Sequence, residues 1–288
     1  MSPVAVVTGA GRGLGRAHAI CLASRGCRVI VNDLGTDDDG RGADAVPARE
    51  VVETIRRAGG QAEANLGSVA DEANVAAMVD LAASRFGGLD IVVNNAGYEY
   101  PVDFAEIDIA AVRRLFEVHV FGAMILTRAA WPHLIRSGSG RVINTVSSAV
   151  YGMAGRTGYG AAKGALLGFT RSLACDGEPH GIKANAIAPM AGTRMADAAK
   201  VAKEVSDYMK QHMPPELVSP AVAYLAHPDC RVNGESFVVG GGKIGRYALS
   251  EGTGFTTPDL SPELIAQNMD RLLDPADLTV MTRVTLAS

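Results

Sequence analysis

A Rossmann-type doubly wound α/β fold, with a parallel sheet of about seven strands in a single domain carrying a C-terminal extension, is predicted by three observations. Short β-branched runs alternate with stretches of helical periodicity along the chain, a glycine-rich turn follows directly on the first run, and Ile91-Val92-Val93 is apolar without alternation. Alternation of this kind calls for parallel strands joined by helical crossovers, and an unbroken apolar run suits a strand covered on both faces.

The predicted strands are residues 4–8, 28–32, 62–66, 89–93, 141–146, 182–187 and 236–239, each bounded by Gly, Asn or Asp. The predicted helices are 14–25, 48–58, 71–86, 105–136, 159–176 and 216–226, which carry apolar residues at helical spacing and stop near Gly or Pro. Residues 35–47, with Asp37-Asp38-Asp39-Gly40 inside, read as a polar surface loop. No composition shift divides residues 1–245, so they are expected to form one domain. In the extension, 246–288, Ser261-Pro262 reads as an N-cap followed by Pro at the first helical position, predicting a helix that docks on the domain or on a second subunit.

Composition excludes several functions. The chain has 288 residues, 48% apolar and 20% charged, with 27 basic against 31 acidic residues and a net charge of −4. Such a balance favours neither nucleic acid nor an anionic membrane surface as a partner. There is no apolar run long enough to span a bilayer and no leader pattern after Met1, so a cytoplasmic location is expected. Cys21, Cys27, Cys175 and Cys230 show no ligand spacing, nor do the six histidines, and no metal site is expected.

The turn Thr8-Gly9-Ala10-Gly11-Arg12-Gly13-Leu14-Gly15 lies between the first strand and the first helix. Bare backbone there can approach a pyrophosphate, and the helix N-terminus can hold its charge. Leu14 and Arg16 stand where GxGxxG would need glycine, so the usable pattern is TGxxxGxG through Gly9, Gly13 and Gly15. Asp33 ends the second strand, where a carboxylate accepts hydrogen bonds from ribose hydroxyls and repels a 2′-phosphate, which favours NAD over NADP. Arg12 is the competing signal, since a guanidinium turned inward would pair with that phosphate.

Tyr159 and Lys163 stand four apart at the start of a predicted helix, so both emerge on one face. A neighbouring ammonium favours the phenolate and is expected to lower the tyrosine pKa, making it a proton acceptor near neutral pH. YxxxK alone is common. Its context gives it weight: Ser147-Ser148 supply a hydroxyl for a substrate oxygen at the carboxyl edge of the sheet, Asn94-Asn95-Ala96-Gly97 leave room for a nicotinamide ring, and Pro189, Gly192 and Thr193 can meet its carboxamide.

With TGAGRGLG, NNAG, the serine pair, YGAAK and APMAGT in this order, the chain resembles the short-chain dehydrogenase/reductase family over nearly its whole length. The segments 31–35, 118–122, 188–195 and 240–245 are most similar to the (3R)-hydroxyacyl-CoA dehydrogenase unit of type 2 peroxisomal multifunctional enzymes and their bacterial relatives. The resemblance implies hydride exchange between a secondary alcohol and the nicotinamide, with Tyr159 moving the hydroxyl proton, Lys163 also holding the nicotinamide ribose, and a serine orienting the substrate oxygen. It also implies a homodimer or homotetramer.

Three positions depart from the family pattern. His119 stands where the family has Asn, although the multifunctional branch tends to have His; it is read either as part of a proton relay or as a structural residue. Counting from the strand through Asn144-Thr145 selects Ser147, whereas aligning the pair selects Ser148; the first is favoured. Gly67 stands where relatives often have an adenine-contacting Asp, which weakens that contact or shifts it to backbone near Ser68. The leading substrate class is a 3-hydroxyacyl-CoA thioester. The alternatives are a hydroxysteroid, a terpene alcohol or another bulky secondary alcohol, or a non-catalytic NAD-binding sensor. Met195, Met209 and Met213 in the irregular stretch after residue 190 read as an adaptable apolar lid or as mere packing.

Overall fold

The structure, a computed structural model, describes residues 2–37, 40–193 and 203–282. It falls into two units, Met1–Arg246 and Tyr247–Ser288. In the first, strand and helix alternate as β1 (Val4–Thr8), α1 (Gly13–Ser24), β2 (Arg28–Asn32), α2 (Val46–Arg57), β3 (Gln61–Asn65), α3 (Glu72–Phe86) and β4 (Ile91–Asn94). The second half follows as α4 (Ile109–Phe116), α5 (Gly122–Ser137), β5 (Arg141–Thr145), α6 (Thr157–Gly177), β6 (Lys183–Pro189), α7 (Lys203–His212), α8 (Ser219–Ala226), β7 (Ser236–Gly240) and β8 (Lys243–Tyr247).

The strands form one sheet in the order β3-β2-β1-β4-β5-β6-β7-β8. Val6 is paired with Ile30 on one side and Val92 on the other, and Val92 in turn pairs with Val142. Alternation along β1 sends Ala5 and Val7 into one core layer with Leu22, Val51, Ile55 and Val222 from α1, α2 and α8. Val4 and Val6 enter the opposite layer, with Met78, Leu126, Leu134 and Leu173 from α3, α5 and α6. Side chains of successive strand residues point to opposite faces, so two apolar layers require an all-apolar strand between them. The strands β1 and β4 run parallel, but the order in which strands are added to the sheet reverses between them, and this switch point opens a crevice at their carboxyl ends.

The expected doubly wound sheet is present, and among the described residues it gains an eighth strand, because Gly240-Gly241-Gly242 does not end it. Gly241 and Gly242, at φ 55° and 78°, turn the chain back on itself, and a two-residue turn with positive φ at both positions sends β8 antiparallel along β7. One expectation is corrected: residues 105–136 are not one helix. A 3-10 turn at Phe104–Glu106 precedes α4, whose N-cap Asp108 accepts from the Ala110 N–H at 2.8 Å. A π-helical turn at Glu117–Phe121 then separates α4 from α5. Such turns insert a residue into the helical ladder and re-aim the side chains that follow.

In the second unit, β9 (Ser250–Gly252) pairs antiparallel with β10 (Leu278–Val280). Ser261 caps α9 (Pro262–Gln267) by accepting from the Leu264 N–H at 3.2 Å, and α10 (Met269–Leu272) follows. Among the described residues no helix is long and apolar enough to cross a membrane.

His18 on α1 is fully buried, with Nδ1 2.9 Å from the Ser219 hydroxyl on α8. Burial lowers its pKa to about 3. The unfolded chain therefore binds a proton near pH 6.5 that the folded chain refuses, so folding stability falls as pH drops from 6.5 towards 3. Urea unfolding across that range is expected to show this slope, and His18→Gln to flatten it.

Candidate active site

The glycine turn is shaped by contacts that exclude side chains. Gly9 and Gly13 adopt φ of 62° and 52°, which L-residues with a Cβ rarely reach. A Cβ on Gly15 would lie 2.1 Å from the Gly9 carbonyl oxygen. Arg12, the N-cap of α1, offers no side-chain cap, and the first turn carries no acidic residue. The leading N–H groups of α1 are thus left to an anion, and the turn fits a dinucleotide pyrophosphate.

Thr8 joins this turn to the end of β4. Its hydroxyl accepts from the backbone N–H groups of Asn95 and Ala96, both at 3.0 Å, and donates to the Val93 carbonyl at 3.3 Å. The Asn95 amide donates to the Thr8 carbonyl at 2.8 Å and to that of Gly9 at 3.2 Å. Next to it Asn94 donates to the Asn144 side chain at 2.8 Å and to the Thr127 hydroxyl at 3.1 Å, so a buried polar chain spans β4 and β5.

A cleft of about 270 Å³ runs along this edge. Gly9, Arg12, Gly13, Leu14, Gly15, Asp33, Asn95, Ala96, Gly97 and Thr193 line it, all singled out from the sequence. Pro189, at the end of β6, is not a wall of this cleft. Asp33 accepts from the Gly11 N–H at 2.7 Å through one oxygen and from the Gly35 N–H at 2.6 Å through the other. This fixes the carboxylate while leaving lone pairs on each oxygen. Arg12 is directed to the loop opposite, donating to the Thr36 carbonyl at 3.3 Å and lying 3.5 Å from the Asp44 carboxylate. At Gly67 a Cβ would lie 2.0 Å from the Asn74 side chain, so the acidic residue common at that position would not fit; Gly67, Ser68 and Val69 border the cleft instead. Asp38 and Asp39 of the polar loop, and Met195, lie outside the described residues.

Tyr159, Lys163 and Ser147 come together but are not walls of this cleft; Lys163 borders a smaller cavity that shares Val69, Ala96 and Val118 with it. Ser147 accepts from the Ala149 N–H at 3.1 Å, and its hydroxyl is near enough to the Tyr159 phenol to pull the phenol's pKa down. Ser148 opens the 3-10 turn Ser148–Tyr151 instead. Lys163, 3% exposed, donates to the Thr145 carbonyl at 2.7 Å, and its Nζ lies 5.5 Å from the centre of the Tyr159 ring. The expected lowering of the tyrosine pKa is not what this geometry gives. Burial, and after it the Glu99 carboxylate, push the phenol up, while Ser147 and Arg156 pull it down. Burial also brings Lys163 down to about 7. An amine brought down to about 7 is only partly protonated near neutral pH, and the sequence does not show the desolvation that causes it.

His119 lies on the π-helical turn, buried against Gly97 and edge-on to the Tyr159 ring at 5.6 Å. Its Nε2 is 2.8 Å from the Tyr98 carbonyl oxygen and 3.0 Å from the Tyr98 nitrogen. Burial, followed by the Lys163 charge, lowers its pKa well below the usual value, so the ring stays neutral around pH 7. A cavity of about 10 Å³ between His119, Lys163, Thr8 and Asn94 is the size of one water. Sequence reasoning missed Glu99 and Arg156, which form an ion pair at 2.9 Å with side chains only 13% and 7% exposed. Fifty-seven positions separate them, and no spacing rule links them.

The sequence profile described as short chain dehydrogenase matches residues 3–204. The chain belongs to the short-chain dehydrogenase family. A short-chain type dehydrogenase/reductase of Mycobacterium tuberculosis is 41% identical over 267 residues, covering 92% of each chain. The peroxisomal multifunctional enzyme type 2 of mouse is 40% identical over 276 residues, covering 94% of this chain and 36% of the mouse enzyme, so the chain spans about a third of that relative. Among solved structures, a 7α-hydroxysteroid dehydrogenase complexed with NADH and 7-oxo glycochenodeoxycholic acid has a TM-score of 0.74 at 32% identity, covering 83% of this chain and 93% of its own. As a short-chain dehydrogenase the chain is an oxidoreductase of a family that uses a nicotinamide cofactor.

Gly15→Ala is expected to weaken nicotinamide dinucleotide binding at least tenfold, since the new Cβ must displace the Gly9 carbonyl. Fluorescence titration checks this, and Gly26→Ala, where nothing lies within 4 Å, serves as the control.

Proposed function

We propose that the protein is an NAD-dependent dehydrogenase that oxidises the secondary alcohol of a 3-hydroxyacyl-CoA thioester, or reduces the corresponding ketone. The observation that carries the chemistry is the grouping of Ser147 and Tyr159 beside Lys163, which borders a small cavity sharing the Ala96 and Val118 walls of the cleft. The cofactor, when bound, supplies the hydride acceptor or donor. Ser147 holds the substrate oxygen against Tyr159. Tyr159 exchanges the hydroxyl proton with that oxygen, and Lys163, fixed by the Thr145 carbonyl, supplies a donor for the cofactor ribose. Ser148 contributes no contact of this kind.

NAD is favoured over NADP by Asp33, whose fixed carboxylate faces the cleft, and by the engagement of Arg12 with Asp44. The NADH complex of the hydroxysteroid dehydrogenase supports the same reading. The thioester substrate rests on the likeness to the multifunctional enzyme, and that hydroxysteroid dehydrogenase favours a second reading, a bulky ring alcohol. An oligomer of two or four copies in the cytoplasm completes the proposal.

Tyr159→Phe is expected to lower turnover by roughly 10²–10⁴ with dinucleotide affinity nearly unchanged. Steady-state kinetics with a dissociation-constant measurement check this, and undiminished turnover would reject the proton-transfer role. NADH formation on a panel of acyl-CoA, steroid and terpene alcohols is expected to be fastest with a 3-hydroxyacyl-CoA and slower with NADP in place of NAD. Preference for a steroid would move the assignment to the second reading.

A further inference from the structure

The ion pair between Glu99 and Arg156 acts on Tyr159 from the loop after β4 and from the start of α6. Arg156 precedes Tyr159 by three residues, at the N-cap of α6, so the two sit one above the other on the same helix face. Glu99 follows Gly97 by two residues in the loop after β4. That loop is also tied to the approach to α6 by the Val102 N–H, which donates to the Gly155 carbonyl at 3.1 Å. The pair thus bridges the two loops that flank the phenol, and both side chains are nearly withdrawn from solvent. Charges in such surroundings are screened far less than at a surface, and their fields reach neighbouring groups.

We propose that Glu99 and Arg156 are positioning residues that set the electrostatic potential at the Tyr159 hydroxyl and thereby the pH at which the enzyme exchanges its proton. The inference rests on the reading that Tyr159 is the proton-exchanging group. The groups facing Tyr159 are Glu99 from the loop after β4, His119 from the π-helical turn, Ser147 after β5, and Arg156 and Lys163 on α6. His119 is neutral around pH 7 and Ser147 uncharged, so the fixed charges are those of the ion pair, with Lys163 brought down by burial to about 7. Glu99 raises both Tyr159 and Lys163, and Arg156 lowers Tyr159 by less than Glu99 raises it. The pair therefore acts in net as a negative potential on the phenol.

The test is the pH profile of kcat/KM for alcohol oxidation in wild type, Glu99→Gln, Arg156→Gln and the double variant. The acid limb is expected to move down by about one pH unit in Glu99→Gln and up in Arg156→Gln. In the double variant it is expected to lie between wild type and Glu99→Gln. A purely structural role would reduce activity without moving the limb in opposite directions. The double variant buries no unpaired charge, so its downward shift remains readable if a single variant fails to fold, and Glu99→Asp is expected to restore the wild-type limb. An unmoved limb in the double variant, or shifts of one sign in both singles, would overturn the proposal. Tyr159→Phe measured alongside separates the two failures. Full activity in that variant defeats the proton-transfer reading, whereas its loss together with unmoved limbs defeats only the role of the pair.

Discussion

The site depends on the hydrogen bonding of Thr8. A single hydroxyl accepts from two successive backbone N–H groups at the end of β4 and donates to the Val93 carbonyl. These bonds hold the glycine turn against residues 95–97 at the one place in the sheet where neighbouring connections run in opposite directions. The Asn95 amide closes the arrangement from the other side. Buried polar groups are costly unless paired, so full pairing here makes the geometry of the turn rigid as well as stable. Without it, the cleft would lose the fixed distance between its phosphate end and its reactive end.

The reactive end is organised by burial as much as by charge. Tyr159, Lys163 and His119 are all nearly inaccessible, and each is pushed towards its neutral form. With solvent excluded, the fixed charges around the phenol act on it with little screening. This gives the Glu99–Arg156 pair its leverage, and it explains why a pattern of four-residue spacing does not by itself report how acidic the tyrosine is.

Much of the fold was legible because the relevant physics is local. The strands 4–8 and 28–32 have the bounds their apolar runs imply, and the turn between β1 and α1 has the glycines that its backbone angles and close contacts demand. The helix over 105–136 was not legible as a whole. Its apolar period continues through the segment where the hydrogen bonding shifts to the π pattern, and the Asp108 cap lies inside the predicted stretch. β8 was hidden by three consecutive glycines, which signal a turn without saying whether a strand returns. In the site, Gly9, Gly13, Gly15, Asp33, Tyr159 and Lys163 carry recognisable spacing. Glu99, Arg156 and the desolvation of Lys163 are tertiary facts, set by which loops meet.

A crystal structure with NAD and a 3-hydroxyacyl-CoA or its ketone bound tests this account most directly. It should show the pyrophosphate on the N–H groups that open α1, the adenosine ribose on Asp33, and the substrate oxygen between Ser147 and Tyr159. A cofactor bound in the reverse sense, or a substrate oxygen held away from Tyr159, would contradict it.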